Sequence, residues 1–377
     1  MIVVFCIPQF KPENFSLQPW LTIHRVAMGL IDCDFHVHVI SDEKGPKFVN
    51  GIRMHWVRSL RNTNSKVLIA LLQSIKPDSV IVTITPLSLA TAGWYQILKK
   101  YSAYGYLSYP FYTKKQIIKA FRYIGWRERW EYGRHILVPR RVWAYRLVNY
   151  FDGVICQTKH TAQKIAELTK LKISAYAISP GIDTKFWSSE NESKAIHDSD
   201  YFLYLGSTSK IRGFLFLLEV FARLSDSGIR LKVLARGADE TEIRKIKGEV
   251  ERRKLETRVS ISGGWIGADE LKKQIQSATA VLFPFILVPS ELPVSVMEAV
   301  YCGTPVIVSD LVGLPEIIGN AGIVVPQADV RKMALAIQKL HREKEYHAKL
   351  SASCYEQRNA IISWDSACMK WNEFLTS

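Results

Sequence analysis

Two carboxylates, Glu291 and Glu298, stand seven positions apart in the stretch Pro289–Asp310 (PSELPVSVMEAVYCGTPVIVSD), the segment of the chain richest in residues that could do chemistry. Ser290 and Glu291 occupy a loop, and the pattern predicts a helix starting near Pro293, whose missing N–H costs nothing at a first helical position. The amides of Val294 and its neighbours would then be unpaired at the positive end of the helix, a setting suited to a diphosphate. Glu298 lies about one turn deeper, among Val296, Met297, Ala299 and Val300. A carboxylate in apolar company needs a partner, and adjacent ribose hydroxyls would supply one. The competing reading is a solvated helix carboxylate with no ligand.

These residues require elements to carry them. In the first half, Ile2–Ile7, Phe35–Ile40, Ser79–Ile84, Tyr104–Ser108 and Gly153–Gln157 read as strands, with helical spacing over Pro19–Leu30, Val67–Ile75, Ala92–Lys100 and Thr158–Leu168. In the second half, Tyr201–Leu205, Arg230–Ala235, Val259–Ser262, Ala280–Pro284 and Pro305–Ser309 read as strands. They alternate with helices over Phe214–Leu224, Glu240–Arg253, Asp269–Ser277, Val294–Cys302 and Val330–Leu340. Such alternation predicts an α/β fold of two doubly wound, Rossmann-like domains facing each other across a cleft. The junction is expected at Ile178–Asp183 (ISPGID), giving a first domain over 1–180 and a second domain over 181–355. Ligands of such folds bind beyond the carboxyl ends of the strands.

Composition narrows the function classes. The 377 residues carry 50 Lys and Arg against 35 Asp and Glu, a net charge of +15, and a 48% apolar content excludes a disordered chain. No apolar run is long enough for a transmembrane helix, the start does not read as a signal peptide, and six scattered cysteines without metal spacing read as reduced thiols of a cytoplasmic protein. The charge is concentrated: Thr113–Tyr150 holds ten Lys and Arg against Glu128 and Glu131, a net of +8, interleaved with Trp126, Trp130, Trp143, Tyr132 and Tyr145. That mixture suits an anionic membrane surface. An ordinary helix pair with aromatics inside and cations in water explains it nearly as well, and single-stranded nucleic acid is disfavoured because no nucleic-acid motif accompanies it.

The order of motifs resembles the retaining glycosyltransferases of family 4, which have the GT-B architecture. Ser295–Val306 (SVMEAVYCGTPV) is similar to the second part of that family's signature, and Tyr204–Gly213 (YLGSTSKIRG) to its donor-phosphate loop. Asp152–Thr158, Ser179–Asp183, Leu314–Ile318, Gly322–Pro326 and Ser363–Asp365 resemble further segments in the expected order. The resemblance covers roughly 150–377 and implies that 356–377 form a last helix crossing back to the first domain. It also implies a nucleotide-sugar donor such as a UDP- or GDP-sugar, a glycan or lipid-linked acceptor, no cofactor or metal, and a place in cell-surface polysaccharide or glycolipid synthesis. The enzyme would be cytoplasmic, peripheral on the inner face of the membrane. Gly206, Ser207, Lys210, Arg212, Ser290, Pro293, Val294 and Glu298 would bind the donor, and Glu291 would contact the transferred sugar.

The sequence departs from the family at four places. The family's first signature Glu falls on Ser290, with Glu291 next door; the Arg expected after Gly206 is Ser207; Gln9–Trp20 lacks glycine; and Ser108–Tyr112 lacks the usual His. His24, His135 and His160 are other possible cleft residues. These departures keep two alternatives open, a catalytically weakened binding or scaffold subunit and a nucleotide-sugar epimerase.

Overall fold

The computed structural model describes residues 1–60, 65–188, 201–224, 226, 228–288 and 290–377. Its first sheet contains β1 (Ile2–Cys6), β2 (His36–Ser41), β3 (Phe48–Val49), β4 (Ile52–Trp56), β5 (Ser79–Thr83), β6 (Ser102–Leu107), β7 (Gly153–Cys156) and β8 (Ser174–Ala177). The order is β3-β4-β2-β1-β5-β6-β7-β8, parallel throughout except for the β3–β4 hairpin. The second sheet contains β9 (Tyr201–Gly206), β10 (Arg230–Arg236), β11 (Val259–Gly264), β12 (Ala280–Phe283), β13 (Val306–Ser309) and β14 (Gly322–Val325). It is all parallel, in the order β11-β10-β9-β12-β13-β14. The central strands β1, β7, β12 and β13 are buried almost end to end, as expected where helices cover both faces of a parallel sheet.

The strands that sequence reading passed over lie toward the sheet edges. β4 buries Ile52 alone and β8 buries none of its residues, so neither shows the apolar run of a central strand. The segment 113–150 forms three helices, Lys114–Ala120, Trp126–Leu137 and Arg140–Tyr150. Tyr112, Ile117, Ala120, Ile124 and Tyr132 join the core of the second sheet, so the first two of these helices straddle the two halves. The last helix, Trp364–Thr376, returns to pack on helix Trp20–Asp32. Its Trp371 is buried beneath the first sheet, with ring centroids 6.0 Å from Phe5 and 5.7 Å from Tyr106.

Candidate active site between the two sheets

The carboxyl ends of β9 and β10 and the loop after β12 meet on the side of the second sheet that faces the first. β9 ends at Gly206, whose φ of +134° suits glycine, and a Cβ there would press on the Arg212 guanidinium. Lys210–Arg212 form a single 3-10 turn closed by Gly213, in the left-handed region at φ +80°. A Cβ on Gly213 would overlap the Pro284 carbonyl oxygen, so only glycine lets this loop lie against the strand end of β12. Arg212 is thereby folded back under Gly206 and over the Phe285 ring, 5.9 Å from its centroid. Burial lowers its pKa, opposed by Tyr204, and the nearby Arg236 lowers it further. Lys210 is exposed. Ser207 is held by its carbonyl, which accepts from the Tyr204 hydroxyl at 2.6 Å.

Helix Val294–Tyr301 has no side-chain cap. Pro293 is its N-cap rather than its first helical residue, with extended backbone (ψ 120°). Its pyrrolidine ring fits either position, so composition alone could not separate them. The start of the helix keeps amides that no capping side chain satisfies, the arrangement that favours an anion. Glu298 is partly buried on this helix, and burial pushes its carboxyl up to about 7 against the opposing field of Arg236.

Arg236, at the carboxyl end of β10, was missed in the sequence. It acts electrostatically on both Glu298 and Arg212 and lies over the exposed Trp265 ring, 5.1 Å from its centroid. The available signal was a cation closing a predicted strand just before Gly237, at the end of the sheet where ligands bind.

Glu291 stands elsewhere than expected. It is 0% exposed, and its carboxylate turns away from Glu298 toward the first half of the chain. There it accepts the Thr158 hydroxyl and, at 3.1 Å, the Gln157 backbone N–H. Its own N–H donates to the Ser108 carbonyl at 2.9 Å. Thr158 is the N-cap of helix Lys159–Leu168, whose next amides, on Lys159 and His160, donate to Glu316 at 3.0 and 2.9 Å. Two carboxylates of the second half thus sit at the positive end of a first-half helix. Burial pushes the Glu291 carboxyl up to about 7 despite its donors from Thr158 and Gln157. The expectation that Glu291 faces a sugar is corrected on this geometry, because both carboxylate oxygens are engaged across the seam. Ser290 is also buried, with its hydroxyl 3.4 Å from the Gln157 side-chain oxygen, which accepts the Leu292 N–H at 3.0 Å.

The candidate histidines do not converge on this site. His24 stacks on Phe15 and lies 3.0 Å from the Asn50 amide. His135 lies against Tyr109, and His160 contributes its backbone to the Glu316 contact.

Two facing, mainly parallel sheets with a final helix returning to the first make up the GT-B fold. Solved structures with this fold superpose over essentially the whole chain. Sucrose-phosphate synthase from Thermosynechococcus elongatus matches with a TM-score of 0.73 at 17% identity, covering 99% of this chain and 98% of that one. HepE from Anabaena, solved with UDP and glucose, matches with a TM-score of 0.68 at 14% identity, covering 100% and 99%. WaaG, a glycosyltransferase involved in lipopolysaccharide biosynthesis, matches with a TM-score of 0.66 at 15% identity, covering 100% of both chains. At such identities the likeness is one of fold. Residues 199–343, which hold the second sheet and most of its helices, match the family described as glycosyl transferases group 1. No curated protein matches the chain by sequence.

Proposed function

We propose that the protein is a retaining glycosyltransferase that moves a sugar from a nucleotide-sugar donor to a glycan or lipid-linked acceptor. The observation that carries this reading is that Arg236 acts on both Arg212, in the loop whose Ile211 carbonyl accepts the Ile286 and Leu287 amides, and Glu298, on the helix whose start at Val294 has no side-chain cap. The donor diphosphate would lie on the amides near Val294, with Arg212 and Lys210 as counter-charges, and Gly206 and Ser207 would let the phosphates approach the backbone. When the bond from the sugar's anomeric carbon to the diphosphate breaks and the bond to the acceptor oxygen forms, negative charge collects on the leaving diphosphate, whose oxygen takes up the proton that the acceptor hydroxyl gives up. Cations fixed there in advance stabilise that charge as it develops. Glu298 would hold the ribose hydroxyls, with Arg236 favouring its charged form against burial. Glu291 acts as a positioning residue: its contacts to Gln157 and Thr158 hold the loop on which Ser290 and Pro293 sit. HepE, a structural neighbour, has been solved with UDP-glucose, which supports a uridine nucleotide as the first donor to test.

A peripheral place on the inner face of a membrane, in glycolipid or polysaccharide synthesis, completes the reading. Trp126 and Trp130 are 74% and 69% exposed among cations, a composition that favours an anionic lipid surface. No helix among the described residues is long and apolar enough to cross a membrane. Calorimetry with UDP and GDP, followed by a donor-hydrolysis assay, tests the enzyme. Binding of one nucleotide with turnover of its sugar is expected, and the absence of binding by both would overturn the reading. Sedimentation with vesicles tests the surface, where equal pelleting with neutral and anionic lipid would remove it.

A further inference from the structure

We propose that a second cavity, of about 420 Å³, receives the phosphate-bearing end of a lipid. The inference rests on the lipid-linked acceptor reading above and gives it a site. The cavity lies between the Tyr109–Tyr112 segment, which follows the carboxyl end of β6, and the turn joining helices Trp126–Leu137 and Arg140–Tyr150. Its position couples it to the candidate active site, because the Tyr112 hydroxyl donates to the Val288 carbonyl at 2.7 Å and accepts the Val288 N–H at 2.5 Å. Val288 leads directly into the loop that carries Ser290.

Three independent features define the occupant. The first is a set of polar groups without partners. Trp143 lines the cavity and is 7% exposed, yet among the described residues its indole N–H has no hydrogen-bond partner, and neither has the buried hydroxyl of Tyr109. A buried donor left unpaired is costly, so both fit a ligand oxygen.

The second is uncompensated charge. Lys114, Arg140 and Arg141 line the cavity, and none of the ion pairs among the described residues involves them. Beyond Arg140 lies Lys164, whose pKa is lowered first by burial and then by Arg140 itself. Cations left this close together call for an anion, and two arginine forks suit a phosphate.

The third is the apolar wall. Pro86, Ile117, Ile136 and Val138 line the cavity, and Leu137, also lining it, is 75% exposed. This continues the apolar character of the exposed Ile118, Trp126 and Trp130 on the neighbouring helices. A free phosphate would use the cations and leave this wall bare. A lipid phosphate satisfies both, its chain leaving past Leu137 toward the membrane-facing residues.

The test uses the full chain and three probes: geranyl phosphate, geraniol and inorganic phosphate. Intrinsic tryptophan fluorescence and calorimetry are the readouts. Geranyl phosphate should bind at least tenfold more tightly than either control. Arg140→Ala with Arg141→Ala should weaken it at least tenfold, and Trp143→Phe, which keeps the ring and removes the donor, by a few-fold. Affinity for UDP should be unchanged in both variants. Geranyl phosphate binding no better than inorganic phosphate would show a bare anion site and overturn the proposal, as would equal affinity in the double variant. If UDP binds and geranyl phosphate does not, this inference alone falls; if UDP does not bind, the donor reading falls with it.

Discussion

Glu291 and Glu298 are chemically the same group, seven residues apart, and burial pushes both up to about 7. Their surroundings nevertheless divide them. Glu291 is engaged by Gln157 and Thr158, at the positive end of helix Lys159–Leu168. Among the described residues Glu298 has no such donors, and the field of Arg236 acts on it. A buried carboxylate whose oxygens are already satisfied holds structure together, whereas one that is desolvated and not bonded is available to a ligand. The pair shows that an elevated pKa identifies burial, and that the donors present decide what the burial serves.

The comparison can be broken in several places. The largest effect should come from the ligand side. Arg212→Ala should lower turnover of the nucleotide-sugar donor about 10²- to 10³-fold while leaving unfolding in urea nearly unchanged. Unaltered turnover would remove the phosphate loop from the mechanism.

Next comes the structural side. Glu291→Ala strands the Gln157 N–H and the Thr158 hydroxyl inside the seam and should cost about 2–3 kcal/mol of stability, read in urea unfolding. Glu291→Gln, which keeps an acceptor, should cost less than the alanine variant. Full stability of Glu291→Ala combined with lost turnover would return Glu291 to the sugar.

Glu298→Gln should behave in the opposite way. At pH 5, where the folded carboxyl is still protonated, stability should stay within about 0.5 kcal/mol, because no protein donor is stranded, while KM for the donor, read at neutral pH, rises about tenfold, the equivalent of about 1.4 kcal/mol. A destabilised Glu298→Gln with unchanged KM would erase the contrast.

The smallest effect is a slope. Both carboxyls are raised in the folded chain above their ordinary value of 4.5. The folded state therefore holds protons that the unfolded chain has released between about 4.5 and about 7, and stability falls as pH rises through that window. The limit is about 1.4 kcal/mol per pH unit for each group. Unfolding midpoints at pH 5 and pH 7.5 should show the decline, and Glu291→Gln with Glu298→Gln should flatten it. An equally steep decline in the double variant would assign it to other groups.

Much of the fold was legible because parallel sheets write long apolar runs into the chain. β1, β7, β12 and β13, with the helices between them, follow from local pattern. The outer strands β4, next to the short hairpin strand β3, and β8, at the sheet edge, did not show, since a strand with few buried residues carries less of that pattern. Helix Val294–Tyr301 and the loop from Gly206 to Gly213 were legible for a different reason. A proline at a helix start and glycines around cations are local requirements of backbone geometry.

The sequence by itself therefore determined the two α/β halves, the loop from Gly206 to Gly213 and the helix that stops just before Gly303, because each depends on neighbours within one or two turns. Only the tertiary structure decided which way Glu291 points, that Arg236 stands between Glu298 and Arg212, and that helices Lys114–Ala120 and Trp126–Leu137 pack against the second sheet. Each of these is a contact between segments far apart in the chain. Burial and electrostatic fields arise from what the fold brings near, and no local spacing records them.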